Sequence, residues 1–486
     1  MDPKQKHTER IPTVRSPRGF NPCALDPDEP LFWYTPTDPF TIRDSFEGVT
    51  ILGAPGAGKS SASAQTHLRS MLRKGYGGLI LTAKPNEREK IVRYCQEEGR
   101  LGSLLIVNPE NEHCLNFLQY ELSRPGRGAG ITENLASLFS TVMEGEDGAG
   151  NADPYWPRAS RQMLGHAIDL GRLAVGRISL EVLVKIVRTA PTSLAEVSSE
   201  SWQQRSFCFR LISRASRRQL DRVDRGDLKQ TAGYWLEEFP KLPDKLRSSI
   251  ISMFTSVADG LLRGRLRTMF AGSTSFVPEL TESGMIILAD LPIKEFHEAG
   301  RIGQNILKLT FQRYWESRIQ NKAIWPTFLY ADECQHFINS QDASFAQTAR
   351  EAKVAPVFIT QNIPNLQIAF GGQDADAKVK SFIGSLATKV FHANSDTATN
   401  RYAEEIIGKD WKRRRSGGVS VDGERVQTNN GYSESFEPIV NANDFSALRQ
   451  GGAKNGFLCD AIVFKSGRTW HATAKNYLKS TFRQSR

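Results

Sequence analysis

Cysteine is sparse in this chain and follows no pattern. Six occur in 486 residues, at positions 23, 95, 114, 208, 334 and 459, and none stands at C-x-x-C spacing. That excludes a disulfide framework and points to reduced thiols in a cytoplasm. Long apolar runs are missing too: nothing approaches the roughly 18 consecutive apolar residues of a membrane helix, so no integral membrane segment is expected. The opening stretch, MDPKQKHTERIPTVRSPRGF, has no apolar centre and does not read as a secretory signal. Internal repeats and low-complexity tracts are also lacking. What remains is a globular composition, 39% hydrophobic and 24% charged, long enough for two or three domains. The net charge of +10 suits a polyanionic partner.

The strongest local signal is VTILGAPGAGKS, residues 49–60. It satisfies G-x-x-x-x-G-K-[ST], follows a β-branched run and precedes a helical pattern, SSASAQTHLRSMLRKG. Gly53, Ala54, Pro55, Gly56, Ala57 and Gly58 form the expected loop, with Ser61 just beyond it. Backbone N–H groups and a helix N-terminus there favour phosphates. Lys59 is expected to reach the β- and γ-phosphates of ATP, and Ser60 to ligate Mg²⁺.

Such a loop needs an acidic partner on another strand. IWPTFLYADECQHF supplies one: an apolar run through Phe328–Ala331 ends in Asp332 and Glu333. Asp332 is expected in the Mg²⁺ shell and Glu333 as the residue that polarises the attacking water. The competing reading is that these acids cap the next helix. Cys334 and His336 raise the thought of a metal site, but zinc needs three or four ligands and no second pair stands at suitable spacing. A cysteine just past a buried strand reads as packing; Gln335 stays open. The next strand, Ala355–Thr360, ends in Gln361, which suits γ-phosphate sensing, or a plain strand-end hydrogen bond. Arg350 reads either as a group lent to a neighbouring subunit or as a solvated charge.

In order, these segments resemble the type IV secretion coupling proteins, the TraD/TraG group of conjugative ATPases in the FtsK–HerA superfamily. The carriers are GVTILGAPGAGKSSAS, GGLILTAKPNEREKIVRYCQEEG, which resembles the family's second strand with its D/A-x-K segment, PYWPRASRQMLGHAI, DLPIKEFHEAGRIGQNILKLTFQRYWESR, FLYADECQHFI, REAKVAPVFITQNIPNLQIAFG and SFIGSLATKVFHANSDTATNRYAEEIIGK. They span about residues 45–465. The family's N-terminal membrane helices have no counterpart, and D-E-C-Q stands where D-E-F is commoner. The resemblance implies a RecA-like P-loop core with a mainly parallel sheet and an inserted all-α domain. It also implies a homo-hexamer with ATP between subunits, translocation of DNA, and relaxase or secretion-system partners.

The expected domains are a flexible basic arm at 1–44, ending in a docking strand, and a core in two parts, 45–124 and 281–470. A helical insertion occupies 125–280 and a tail 471–486. The stretch 145–154, GEDGAGNADP, reads as a loop. Two basic runs are candidates for DNA. Residues 205–230 carry eight Arg/Lys against three Asp, with Arg214, Arg217, Arg218 and Arg222 at helical spacing; the plainer reading is internal pairing such as Arg217–Asp221. Lys412, Arg413, Arg414 and Arg415 precede a predicted hairpin turning at Asp422-Gly423, either pore-lining or a surface flap. Neither run interleaves enough aromatics for base stacking, so contacts to the phosphate backbone without sequence reading are expected. A recruitment switch that moves nothing, and a DNA-binding adaptor with a structural ATP site, remain as alternatives.

Overall fold

The computed structural model describes residues 25–124, 130–143, 155–318, 324–422 and 425–484. Its first strands, β1 (Pro30–Thr35) and β2 (Asp38–Thr41), pair as an antiparallel hairpin. They belong to the stretch expected as an arm. From residue 25 onward that expectation needs correcting: Tyr34, Phe40 and Ile42 are buried, and the Tyr34 hydroxyl lies 3.0 Å from His67 Nε2. The basic residues 1–24 lie outside the described residues.

Seven mostly apolar runs then become strands, all buried except the half-buried edge strand β5: β3 (Val49–Leu52), β4 (Gly77–Leu81), β5 (Leu104–Val107), β6 (Ile286–Ala289), β7 (Thr327–Ala331), β8 (Val354–Thr360) and β9 (Thr388–His392). A ribbon of β10 (Lys409–Asp422) and β11 (Arg425–Pro438) follows, and β12 (Leu458–Lys465) and β13 (Tyr477–Arg483) close the chain. The main sheet runs β13-β12-β9-β3-β8-β7-β4-β6-β5. Every pairing from β9 to β5 is parallel, and β12 and β13 add antiparallel. Near-continuous apolar strands are what a sheet covered on both faces requires. In β7, Leu329 and Ala331 face one core while Phe328 and Tyr330 face the other. The segment expected as a tail is therefore partly sheet: β13 is an edge strand, its buried Leu478 and Phe482 alternating with exposed residues.

Between β5 and β6 the pattern changes to helices, among them Thr132–Met143, Tyr155–Val175, Phe207–Ser216, Arg222–Gly233 and Asp244–Leu261. Apolar residues at helical spacing, such as Ile250, Phe254, Val257 and Leu261, form the inserted unit's core. That core is continuous with the sheet face carrying the helix Ile293–Ser317. The fold is thus an α/β, RecA-like core with an all-α insertion. The stretch 145–154 lies outside the described residues.

Candidate functional site

The glycine-rich loop is held from both sides. Gly53 N–H donates to the Gln361 carbonyl at the end of β8, 3.1 Å, and Ala54 N–H to the Ala393 carbonyl after β9, 2.8 Å. Two glycines are required by geometry. A Cβ on Gly53 would sit 2.6 Å from His392 Cβ; Gly58 has φ +94° and a Cβ there would sit 2.7 Å from Cys459 Sγ. Beneath the loop, Ser63 Oγ lies 2.6 Å from His392 Nε2. A wide helical turn starts at Lys59 and continues as the helix Ala64–Arg73. Lys59 curls over the loop, its Nζ donating to the Gly53 carbonyl (2.6 Å) and the Ala54 carbonyl (3.1 Å). Burial lowers its pKa, opposed by the charges of Glu333 and Asp332.

The acidic pair stands one strand beyond β8. Asp332 and Glu333 are both buried, and Asp332 Oδ1 accepts from the Glu333 N–H at 2.9 Å. Glu333 has φ +49°, a left-handed backbone that a non-glycine residue adopts at a cost. Its carboxylate is surrounded by donors: Lys84 Nζ at 2.6 Å, Gln335 Nε2 at 2.9 Å, and Gln361 Nε2 at 3.3 and 3.5 Å. Burial would raise the Glu333 pKa. The hydrogen bonds from Lys84 and Gln335, with the charges of Lys84 and Lys59, outweigh it and hold it at about 2. Gln335 is settled by this geometry: its carbonyl oxygen accepts from Thr360 Oγ1 at 2.9 Å while its amide donates to Glu333, so it ties β8 to the acid.

These groups face a cleft of about 860 Å³ lined by Gly56, Gly58, Lys59, Ser60, Lys84, Glu333 and Gln361 among others, within the usual size of ligand pockets. A smaller adjoining cavity is lined by Ser60, Asp332, Thr82 and Glu87. There Glu87 accepts from the Ala83 and Lys84 N–H groups through Oε2, while its buried Oε1 has no partner. Burial, then the charge of Asp332, pushes its pKa up to about 7. A hydroxyl, a buried carboxylate and an orphan carboxylate oxygen beside a phosphate-type loop fit a hydrated Mg²⁺, which takes one or two carboxylates plus phosphate oxygens. Cys334 is fully buried, and burial pushes its thiol far above the ordinary range, as expected of a packing group. Among the described residues no cluster of three or more His, Cys, Asp or Glu is placed to hold a metal.

Other expected residues lie elsewhere. Arg350 is in the turn after the helix Ser340–Thr348 and pairs at 3.4 Å with Glu47, just before β3. That is the sheet edge opposite the glycine-rich loop, so Arg350 takes no part in its own subunit's cleft. Arg214, Arg217, Arg218 and Arg222 are exposed at the end of one helix and the start of the next. The aspartates among them are engaged: Asp221 caps the second helix, and Asp224 and Asp227 pair with Arg172 at 2.7 and 2.8 Å. Lys412, Arg413 and Arg414 lie on β10 with Arg415, whose side chain, like the turn at 423–424, is outside the described residues.

Lys84, Glu87 and Gln484 were missed as site residues. Lys84 and Glu87 sit in the T-A-K-P-N-E run after β4, where the lysine at the third place of T-A-K was the available signal. Gln484 arrives from the far end of the chain, its Nε2 donating to Ser61 Oγ at 2.7 Å and its Oε1 accepting from Gly452 N–H at 2.6 Å.

Residues 326–450 match the family model TraG-D_C, described as the TraM recognition site of TraD and TraG. Several solved structures are similar along nearly the whole chain. The conjugative coupling protein TrwBΔN70, trigonal form with sulphate, aligns at 14% identity and TM-score 0.62 over 97% of this chain and 95% of that one. TrwB with the non-hydrolysable GTP analogue GDPNP aligns at 13% identity and TM-score 0.59 over 96% and 91%. TrwB with ADP and Mg²⁺ aligns at 15% identity and TM-score 0.58 over 92% and 88%. No curated protein sequence matches. Over residues 326–450 the chain is similar to the TraD and TraG proteins, and over nearly its whole length its fold is similar to that of the solved conjugative coupling proteins.

Proposed function

We propose that this chain is an ATP-hydrolysing ring motor, a homo-hexamer that binds DNA through its phosphate backbone and moves it. The observation that carries the reading is the convergence of Lys59, Ser60, Glu333 and Gln361 on one cleft, with Ser60 and Asp332 lining the small cavity beside it. The similar TrwB structures in complex with GDPNP, with ADPNP, and with ADP and Mg²⁺ support a nucleotide and Mg²⁺ there.

Bound ATP with Mg²⁺ supplies a phosphoanhydride whose cleavage passes through a loose transition state. Residues 53–61 cradle the phosphates, and Lys59 exchanges its two loop carbonyls for phosphate oxygens. Ser60 and Asp332 hold the cation's shell. Glu333, a carboxylate at every working pH, orients water and accepts its hydrogen bond. A group with a pKa near 2 is a weak base, but a loose transition state asks for positioning more than early proton removal. Gln361 and Gln335 fix the carboxylate's direction. An arginine of the neighbouring subunit completes the charge stabilisation, and Arg350, exposed on its own subunit, is the candidate. Arg214, Arg217, Arg218 and Arg222 on the helical unit and Lys412–Arg415 on the ribbon supply phosphate contacts.

The TraG-D_C match favours one second reading: recruitment of a relaxosome partner protein, with hydrolysis acting as a switch. Triplex displacement separates the two, because a motor strips a third strand from DNA in an ATP-dependent way and a switch leaves it in place. For the site itself, Lys59→Ala should weaken binding of a fluorescent ATP analogue by at least tenfold. Wild-type affinity in that variant would remove the phosphate-cradle assignment.

A further inference from the structure

Glu87 opens the helix Glu87–Glu97 that follows β4. Its backbone and one carboxylate oxygen are engaged by the turn before it. Glu87 N–H donates to the Lys84 carbonyl at 3.2 Å, and Oε2 accepts from Ala83 N–H at 2.7 Å and Lys84 N–H at 3.2 Å. The other oxygen, Oε1, is buried without a partner, on a residue only 8% exposed. A turn cap needs one oxygen. The second is desolvated with nothing in return, a costly arrangement for a carboxylate unless a positive group joins it in the working state.

The lysines of the site are committed elsewhere. Lys84 Nζ holds Glu333 at 2.6 Å, and Lys59 Nζ donates to the Gly53 and Ala54 carbonyls. Lys90 borders the same cavity as Glu87 but from an exposed position. That cavity, which Glu87 shares with Ser60, Thr82, Tyr330 and Asp332, measures about 30 Å³. It has room for one or two waters and is too small for an organic ligand. Asp332 is close enough that its charge is, after burial, the largest influence raising the Glu87 pKa. Two carboxylates that repel across a water-sized space, beside a hydroxyl expected on Mg²⁺, are stabilised together by a divalent cation.

We infer that Glu87 is the second carboxylate of the Mg²⁺ shell, joining Ser60 and Asp332 through a cation-bound water rather than by a direct bond. Two observations make the contact indirect. The cavity is sized for water, and among the described residues no three His, Cys, Asp or Glu side chains stand close enough to bind a metal by themselves. Mg²⁺ keeps several waters and takes one or two carboxylates beside the phosphates. A carboxylate that receives a hydrogen bond from such a water orients it and strengthens the hold on the cation. Glu87 is thus a positioning residue. The same side chain caps the N–H of Lys84, whose Nζ holds Glu333, so it ties the cation's surroundings to the water-orienting acid. This role rests on the nucleotide and Mg²⁺ reading above and adds a residue from outside the glycine-rich loop and the acidic strand.

The test uses the full chain at pH 8, a fluorescent non-hydrolysable ATP analogue, and Mg²⁺ titrated in from a chelated start. The wild type should bind the analogue more tightly as Mg²⁺ rises. Glu87→Gln keeps the side chain's size and an acceptor for the turn at 83–84. It should need about tenfold more Mg²⁺ for half of that tightening. Its affinity in chelator should match or exceed the wild type's, because a negative charge has left the surroundings of the phosphates. Glu87→Asp, shorter but charged, should shift the Mg²⁺ requirement less and in the same direction, and it carries the comparison if the glutamine variant does not fold. Equal Mg²⁺ dependence in the wild type and the variants would overturn the role of Glu87 and leave the nucleotide reading intact. Equal weakening with and without Mg²⁺ would do the same, since that marks a turn cap alone. A wild type that binds the analogue without any response to Mg²⁺ would overturn the cation reading of Ser60 and Asp332 as well.

Discussion

Glu333 is held by Lys84 more than by any residue of its own segment. Removing that cation should therefore move its pKa upward, because burial then acts with less opposition. In Lys84→Met, the acid limb of the kcat profile for ATP hydrolysis should rise from below the accessible range into roughly pH 4–6. An unchanged profile would mean that the pair is absent in the working enzyme. Two histidines make a separate prediction. His67 and His392 are fully buried, and burial lowers their pKa values to about 4 and about 3. Around them, Lys59 and the other histidine disfavour protonation of His392, and only Asp460 favours it. Both contribute stability that is complete above pH 6.5 and lost as pH falls toward those values. The difference in Tm between wild type and His392→Gln should thus shrink or reverse from pH 7 to pH 4. Much of the site was legible in the sequence at this scale. A phosphate loop is one contiguous turn whose chemistry demands glycines, lysine and a hydroxyl in fixed order, and Asp332 and Glu333 end an apolar run. Lys84, Gln335 and Gln484 are brought together from three segments, and no local spacing encodes that meeting.

Among the elements, the helix Ile293–Ser317 is bolted to the segment after the acidic strand by a fully buried ion pair, Lys308 Nζ to Asp342 at 2.5 Å. Lys308 also donates to the Phe337 carbonyl, and Gln312 Nε2 donates to the second Asp342 oxygen at 2.8 Å. Asp342 in turn forms the capping box of its own helix with Asn339. Truncating one partner strands a buried charge, so Asp342→Ala should cost about 3–5 kcal/mol by chemical denaturation. Lys308→Met with Asp342→Leu should recover part of that. Additive losses in the double variant would show that the two side chains do not interact. The strands of the parallel core were readable because burial on both faces leaves continuous apolar runs. β13 was not, since an edge strand alternates buried and exposed residues and YLKSTFR looks like a polar tail.

At the level of the whole molecule, the exposed residues Glu89, Lys90 and Arg93 line part of the cleft, and the proposed ring would place a neighbouring subunit against it. With an ATP analogue and DNA, particles of six subunits are expected by electron microscopy, and monomers under the same conditions would remove the ring. The glycine-rich loop, Glu333 at the end of the acidic strand and Gln484 just after β13 all line that cleft. The most direct measurement is DNA-stimulated ATP hydrolysis by Glu333→Gln, with nucleotide affinity measured in parallel. The variant should bind the ATP analogue as the wild type does and lose at least a hundredfold in turnover, consistent with removal of a water-orienting group. Turnover at the wild-type rate with binding intact would contradict the assignment of Glu333 and, with it, the catalytic reading of this cleft.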